Sequence, residues 1–230
     1  MNHKELSFIS KLYLILYNVV LCVGWAFVLV GTVKYCWEER PKFGSHVIGL
    51  YDAIGPSLRI FQTAAFLEVI HCAIGIVRSN VVLTFFQVSS RLLVLWGVVH
   101  SVAGVNATFG LLLILFAWSI TEVIRYAFYA SSLMFSSVPY ILQWSRYTFF
   151  YILYPIGVLG ELMLVFSALP IVNATGQFSF TLPNLINWAF SYYYFLVLII
   201  FLYIPIFPQL YGHMISQRKK VLGGQKTKAD

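Results

Sequence analysis

Six stretches of the chain run for about twenty residues with few charges, the length an α-helix needs to cross a hydrocarbon layer roughly 30 Å thick. They cover residues 12–33, 57–77, 81–103, 107–130, 147–169 and 188–211. The apolar runs are continuous, not the alternating ten-residue segments of a membrane β-barrel. The pattern therefore predicts an all-α fold, a six-transmembrane-helix bundle over residues 1–211, followed by a basic tail over 212–230. The first stretch follows Lys4 and Lys11. It is too long for a signal peptide and no clear small-residue cleavage site follows it, so it reads as a span.

Composition supports the same class. Of 230 residues, 60% are hydrophobic and 10% charged, against about 25% charged in soluble domains. With a mean hydropathy of +0.82, a soluble globule of this size lacks the interior to hide so much apolar surface. A disordered chain and a disulfide scaffold are excluded as well. Cys22, Cys36 and Cys72 show no metal-ligand or redox spacing. The net charge of +7 is too sparse and too terminal for nucleic acid, and points to anionic lipid or a phosphate-bearing substrate at the membrane surface.

An even number of spans puts both termini on one side. That side carries Lys4, Lys11, Arg78, Arg146, Arg218, Lys219, Lys220, Lys226 and Lys228, the other Lys34, Arg40 and Lys42. The excess of cations places both termini in the cytosol. The sequons at Asn106 and Asn173 then fall on the far face, where glycosylation is possible. Lys226 and Lys228, three and five residues from the end, resemble a cytosolic dilysine retrieval signal of the endoplasmic reticulum; taken alone an ordinary solvated tail fits equally well, and the cytosolic C-terminus favours the signal.

The chemistry sits where lipid should be. An ionisable group at mid-membrane costs about 2.5–3.5 kcal/mol on insertion scales, so it should face the bundle interior and find a partner. The second span carries Arg59, Gln62, Glu68 and His71; the third Gln87, Arg91 and His100; the fourth Glu122 and Arg125; the fifth Tyr154 and Glu161. Spans one and six carry no charge and read as outer or supporting helices. Gln87 and Arg91 share a helix face at i,i+4, and Glu122 and Arg125 can pair at i,i+3. Tyr154 and Glu161 are seven residues apart, within about 20° of two full turns and near 10 Å in rise, so both point the same way. Pro155 removes a helix hydrogen bond beside them, and Gly157 admits a neighbouring backbone or a ligand. With the topology above, Glu68, His71, Gln87, Arg91, Arg125 and Tyr154 converge in the cytosolic half of the bundle, with Glu122 slightly deeper and Glu161 near mid-membrane, as a buried pocket with apolar walls suited to an acyl chain. Glu68, Arg91, Glu122 and Arg125 also read simply as interhelical ion pairs. Glu161 has no cation at i±3 or i±4 on its own helix, so it is either neutral or paired across helices.

Cys72 and Arg78 complete the Cys-x5-Arg string of tyrosine phosphatases. That chemistry needs free backbone N–H groups around a thiolate, whereas helical N–H groups are already bonded and an apolar setting disfavours the thiolate. The string is discounted as an active site.

The run Tyr147-Thr148-Phe149-Phe150-Tyr151-Ile152-Leu153-Tyr154-Pro155-Ile156-Gly157-Val158-Leu159-Gly160-Glu161 resembles the 3-hydroxyacyl-CoA dehydratases of very-long-chain fatty-acid elongation, proteins once called protein-tyrosine-phosphatase-like. The blocks around Glu68, Gln87–Arg91 and Trp118–Tyr126 follow in the same order, and the likeness covers nearly the whole chain; Arg78 departs from a proline common in the family. The resemblance implies a multi-pass endoplasmic-reticulum enzyme that removes water from (3R)-3-hydroxyacyl-CoA to give trans-2-enoyl-CoA. It implies Tyr154 and Glu161 as the catalytic pair, with Glu68, Gln87, Arg91, Glu122, Arg125 and Gly157 supporting the site. It implies condensing enzymes and the ketoacyl- and enoyl-CoA reductases as partners, and no metal or redox cofactor. Arg146 and the Arg218-Lys219-Lys220 cluster are candidates to attract CoA phosphates, or serve orientation only. A non-catalytic scaffold of the elongase assembly is the alternative reading.

Overall fold

A computed structural model describes residues 7–183 and 187–226. Lys4 and Lys228, and with Lys228 part of the dilysine pattern, lie outside them. The described chain forms α1 (Phe8–Glu39), α2 (Leu50–Ala64), α3 (Leu67–Ala73), α4 (Val81–Leu92), α5 (Phe109–Met134), α6 (Tyr140–Thr148), α7 (Phe150–Thr175) and α8 (Tyr192–Lys226). Beyond Leu92, α4 continues as a π-helical stretch, Leu93–His100. Five helices are long and apolar enough to cross a membrane: Phe8–Glu39, Val81–His100, Phe109–Met134, Phe150–Thr175 and Tyr192–Leu222.

The second expected span is made of two pieces. Between α2 and α3 the amides of Phe66, Glu68 and Val69 bond back three residues, to Thr63, Ala65 and Phe66, at 3.0 Å each. Hydropathy is blind to this break, because Ala65 and Phe66 are as apolar as their neighbours. The two pieces still run the length of the bundle. Tyr51 of α2 bonds His100 at one end, and His71 of α3 bonds Tyr13 of α1 at the other. α8 also outruns expectation: it stays helical from the apolar segment into the basic one, whose cations suit a helix C-terminus.

The connections sort to two ends. The Val47 amide donates to the Ala107 carbonyl at 2.7 Å and Gln177 Nε2 to the Ser101 carbonyl at 2.7 Å. The α1–α2, α4–α5 and α7–α8 links therefore gather together. Arg218 meets Thr148 at the opposite end.

α5 is the central helix, packed between α1 and α7. α1 turns Leu14, Asn18, Leu21, Trp25, Val28 and Thr32 inward, a seam of alternating four- and three-residue steps. Val23, Phe27 and Val30 point outward at more than 60% exposure, as a lipid-facing stripe does. Asn18 Nδ2 and Thr32 Oγ1 donate to the Leu14 and Val28 carbonyls of their own helix, so these donors are met inside the apolar layer.

α5 and α7 approach closely at Gly110 and Gly160. A Cβ at Gly110 would lie 2.8 Å from the Gly160 carbonyl oxygen, and one at Gly160 2.9 Å from that of Gly110. Only hydrogen fits on either side, and this contact sets the depth at which α7 delivers its polar face. Gly160→Ala should therefore cost about 1–3 kcal/mol by forcing the helices apart. Equilibrium unfolding in detergent checks this, and wild-type stability would show that the crossing is loose.

Candidate active site

A chain of alternating charges crosses the bundle. Glu68 of α3 takes 2.7 Å from Arg125 Nη2 and 2.5 Å from the Tyr126 hydroxyl on one oxygen. Arg125 Nη2 also lies 2.8 Å from Glu122 Oε2, and Arg91 at the end of α4 closes on Glu122 Oε1. Two carboxylates thus meet two guanidinium groups, and the Glu122 side chain is only 1% exposed. A buried ion pair persists only where each charge is compensated. The arrangement follows from α5, where Trp118, Glu122, Arg125 and Tyr126 fall on one helix face. The π-helical stretch buries Val94, Leu95, Val98 and Val99, whereas α4 buries only Val88. It packs this helix into the core just beyond Arg91.

The charge chain leads to α7. The Arg91 guanidinium carbon sits 5.5 Å from the Trp118 ring centroid, and Trp118 Nε1 donates to Glu161 Oε1 at 3.0 Å. The second carboxyl oxygen, Oε2, accepts from the Tyr203 hydroxyl of α8. Trp118 from α5 and Tyr203 from α8 thus hold the two oxygens of Glu161 from either side. One turn beyond Tyr203, Phe207 stacks on Tyr154 with centroids 5.1 Å apart and planes 4° from parallel. Tyr211 stacks on the same ring at 6.2 Å. The Tyr154 hydroxyl has no hydrogen-bond partner among the described residues, while Glu161 and Arg91 lie within its electrostatic reach.

Pro155 has a local role. Its ring leaves the Tyr151 carbonyl without the helical N–H it would otherwise receive. The Tyr211 hydroxyl donates to that carbonyl at 3.3 Å. The proline thus opens a docking point for α8 beside Tyr154. The uncharged sixth segment is part of the site: Tyr203, Phe207 and Tyr211 line α8 at four-residue intervals and face α7. Their uncharged side chains escaped a search for charged groups, although the i,i+4,i+8 spacing of the three aromatics was the available signal.

Other expected residues fall variously. Gly157 is buried, and a Cβ there would sit 3.4 Å from that of Ala117, so it lets α7 lie close to α5 one residue from Trp118. Gln87 lies exposed on α4 and its side chain makes no hydrogen bond among the described residues. Arg59 and His100 join each other at 3.0 Å in a separate cluster with Tyr51, at the other end of the bundle. Asn106 sits in a short 3-10 turn and Asn173 in the exposed last turn of α7. Cys72 is buried in α3, and the string after it is half turn: the amides of Ile74, Gly75, Ile76 and Val77 bond the carbonyls of Ile70, Cys72, His71 and His71. No N–H of these four is left for a phosphate.

Fold and charge chain together define a multi-helix membrane protein in which Glu68, Arg91, Glu122 and Arg125 are held in one buried network. The chain belongs to the protein tyrosine phosphatase-like protein family, PTPLA, whose profile matches residues 62–224. It is 50% identical over 214 residues to the very-long-chain (3R)-3-hydroxyacyl-CoA dehydratase 2 of Homo sapiens, covering 93% of this chain and 82% of that one. It is 43% identical to the very-long-chain (3R)-3-hydroxyacyl-CoA dehydratase hpo-8 of Caenorhabditis elegans, over 94% of this chain and 97% of that one. Likeness extends to the very-long-chain (3R)-3-hydroxyacyl-CoA dehydratase PASTICCINO 2 of Arabidopsis thaliana, at 37% identity over 96% of this chain and 97% of the relative. No solved structure shows significant similarity to the chain.

The charge chain makes a stability prediction. Glu122→Ala leaves Arg91 without its carboxylate and Arg125 with Glu68 alone, and should destabilise the fold by about 3–5 kcal/mol. Unfolding in detergent measures the loss, and a change below one kcal/mol, a small fraction of that estimate, would mean that water reaches the pair.

Proposed function

We propose that this chain is a hydro-lyase that dehydrates (3R)-3-hydroxyacyl-CoA to trans-2-enoyl-CoA, the water-removing step of very-long-chain fatty-acid elongation. The observation that carries the reading is Glu161. It is gripped by Trp118 and Tyr203 from two other helices, on the same α7 face as Tyr154. The relatives named as dehydratases support the substrate class.

The reaction needs one proton removed from C2 and one supplied to the departing C3 hydroxyl. Glu161, accepting at both oxygens, suits the base. The C2–H electrons become the C2–C3 double bond as the C3–O bond breaks. Tyr154, whose hydroxyl is uncommitted, gives its proton to the leaving oxygen, which departs as water. Return of the proton from Glu161 to the Tyr154 oxygen restores both groups, so no oxidant or reductant enters. Arg91 is a cation placed to favour the enolate-like charge that develops toward the thioester oxygen. Trp118 and Tyr203 act through Glu161 as positioning residues.

The same reading covers the membrane. α2 and α3 together would form a second crossing, for six in all with both termini cytosolic; the two-ended sorting of the connections supports it. Localisation in the endoplasmic reticulum, and assembly with condensing enzymes and the ketoacyl- and enoyl-CoA reductases, accompany the elongation role.

Purified Tyr154→Phe and Glu161→Gln proteins, folded as judged by unfolding, should each lose dehydration by several orders of magnitude. Full turnover in either ends the assignment. Tyr203→Phe should keep a folded protein and lower kcat by about 10-fold or more, since a loosened catalytic group costs rate. Cys72→Ser should turn over like wild type, and a large loss there would revive thiol chemistry.

A further inference from the structure

The C-terminal part of α8 is fastened to the bundle by a cation. Arg218 Nε donates to Thr148 Oγ1 at 3.4 Å, and its guanidinium carbon sits 5.5 Å from the Tyr151 ring centroid. Lys219 and Lys220 follow, both exposed. Among the described residues no carboxylate pairs with any of the three. A helix C-terminus accounts for cations in its last turn, but not for the seat of Arg218 on Tyr151, which lies on α7 one turn before Tyr154.

From that seat a run of rings leads inward. Tyr151 meets Tyr211 edge-on at 6.2 Å, Tyr211 stacks on Phe207 at 5.7 Å, and Phe207 stacks on Tyr154. Tyr203 and Glu161 come next. Along α8, Arg218 lies seven residues past Tyr211 and fifteen past Tyr203, about 10 and 22 Å at 1.5 Å per residue. Seven residues also bring it within about 20° of the Tyr211 face. A CoA thioester reacting at Tyr154 and Glu161 must keep its phosphates in water, one stretched pantetheine arm away. The interval from Tyr203 to Arg218 is of that length.

We propose that Arg218, Lys219 and Lys220 bind the phosphates of the CoA thioester, with the pantetheine arm running beside α8 toward Tyr154; this rests on the dehydratase reading. The guanidinium presents a fork to the diphosphate and the lysines supply point charges. Arg146 is not part of this site. Its Nη2 donates to the Tyr129 hydroxyl at 3.1 Å, and its guanidinium packs 4.4 Å from the Phe128 ring centroid on α5.

Anionic lipid headgroups carry the same phosphate chemistry, so the test separates them. The full chain is assayed in neutral phosphatidylcholine nanodiscs with a 3-hydroxyacyl-CoA and with the same acyl group as a pantetheine thioester, which lacks the phosphates. The variant Arg218→Gln/Lys219→Gln/Lys220→Gln should raise KM for the CoA thioester about 10-fold, as loss of a charge-assisted contact does, with kcat little changed. KM for the pantetheine thioester should match that of wild type. Lys219→Gln/Lys220→Gln, which keeps Arg218 on Thr148 and Tyr151, should show a smaller rise in the same direction. An unchanged KM for the CoA thioester overturns the proposal, as does an equal rise for both thioesters or a rise seen only after anionic lipid is added. Failure of the wild-type chain to dehydrate either thioester would instead overturn the dehydratase reading beneath it.

Discussion

The neutral chain of charges from Glu68 through Arg125 and Glu122 to Arg91 is the constraint on which the rest of the molecule depends. Four ionised groups inside an apolar bundle are tolerated only because each meets an opposite charge. That requirement fixes α3, α4 and α5 relative to one another at one level, since removing any member strands its neighbour. The chain then reaches α7 and α8 through uncharged groups: Arg91 lies over Trp118, Trp118 bonds Glu161, and Glu161 takes the Tyr203 hydroxyl. Polar contact therefore runs through five helices, and the carboxyl at its far end is held from both sides.

This design separates two tasks that buried carboxylates perform. Glu68 and Glu122 are matched by arginines and serve cohesion. Glu161 has neutral donors only at its oxygens, so hydrogen bonds hold it in place of an ion pair. The neighbouring phenol is likewise uncommitted, its ring fixed by stacking instead of hydrogen bonds. Orientation by flat packing leaves the hydroxyl free for a ligand, and the Pro155-exposed carbonyl gives α8 a fixed place to dock.

Much of this was legible in the chain. Apolar run length set the class, because lipid offers no hydrogen bonds and the backbone must satisfy itself within helices. The i,i+7 spacing put Tyr154 and Glu161 on one face, and the scarcity of charge picked out Glu68, Arg91, Glu122 and Arg125, which the fold brings together. Gln87, matched to Arg91 by spacing alone, lies exposed. A shared helix face gives direction, but side-chain reach decides contact.

The sequence by itself determined the membrane class, the helical periodicity and which ionisable groups needed partners, because these follow from transfer energies and a fixed helical repeat. Apart from the i,i+3 contact of Arg125 with Glu122, tertiary structure alone decided which partners they took. The α2–α3 break, the Gly110–Gly160 approach and the grip of Tyr203 on Glu161 join residues far apart in the chain or among equally apolar neighbours. In such places hydropathy is flat, and only packing in three dimensions distinguishes one aromatic or small residue from the next.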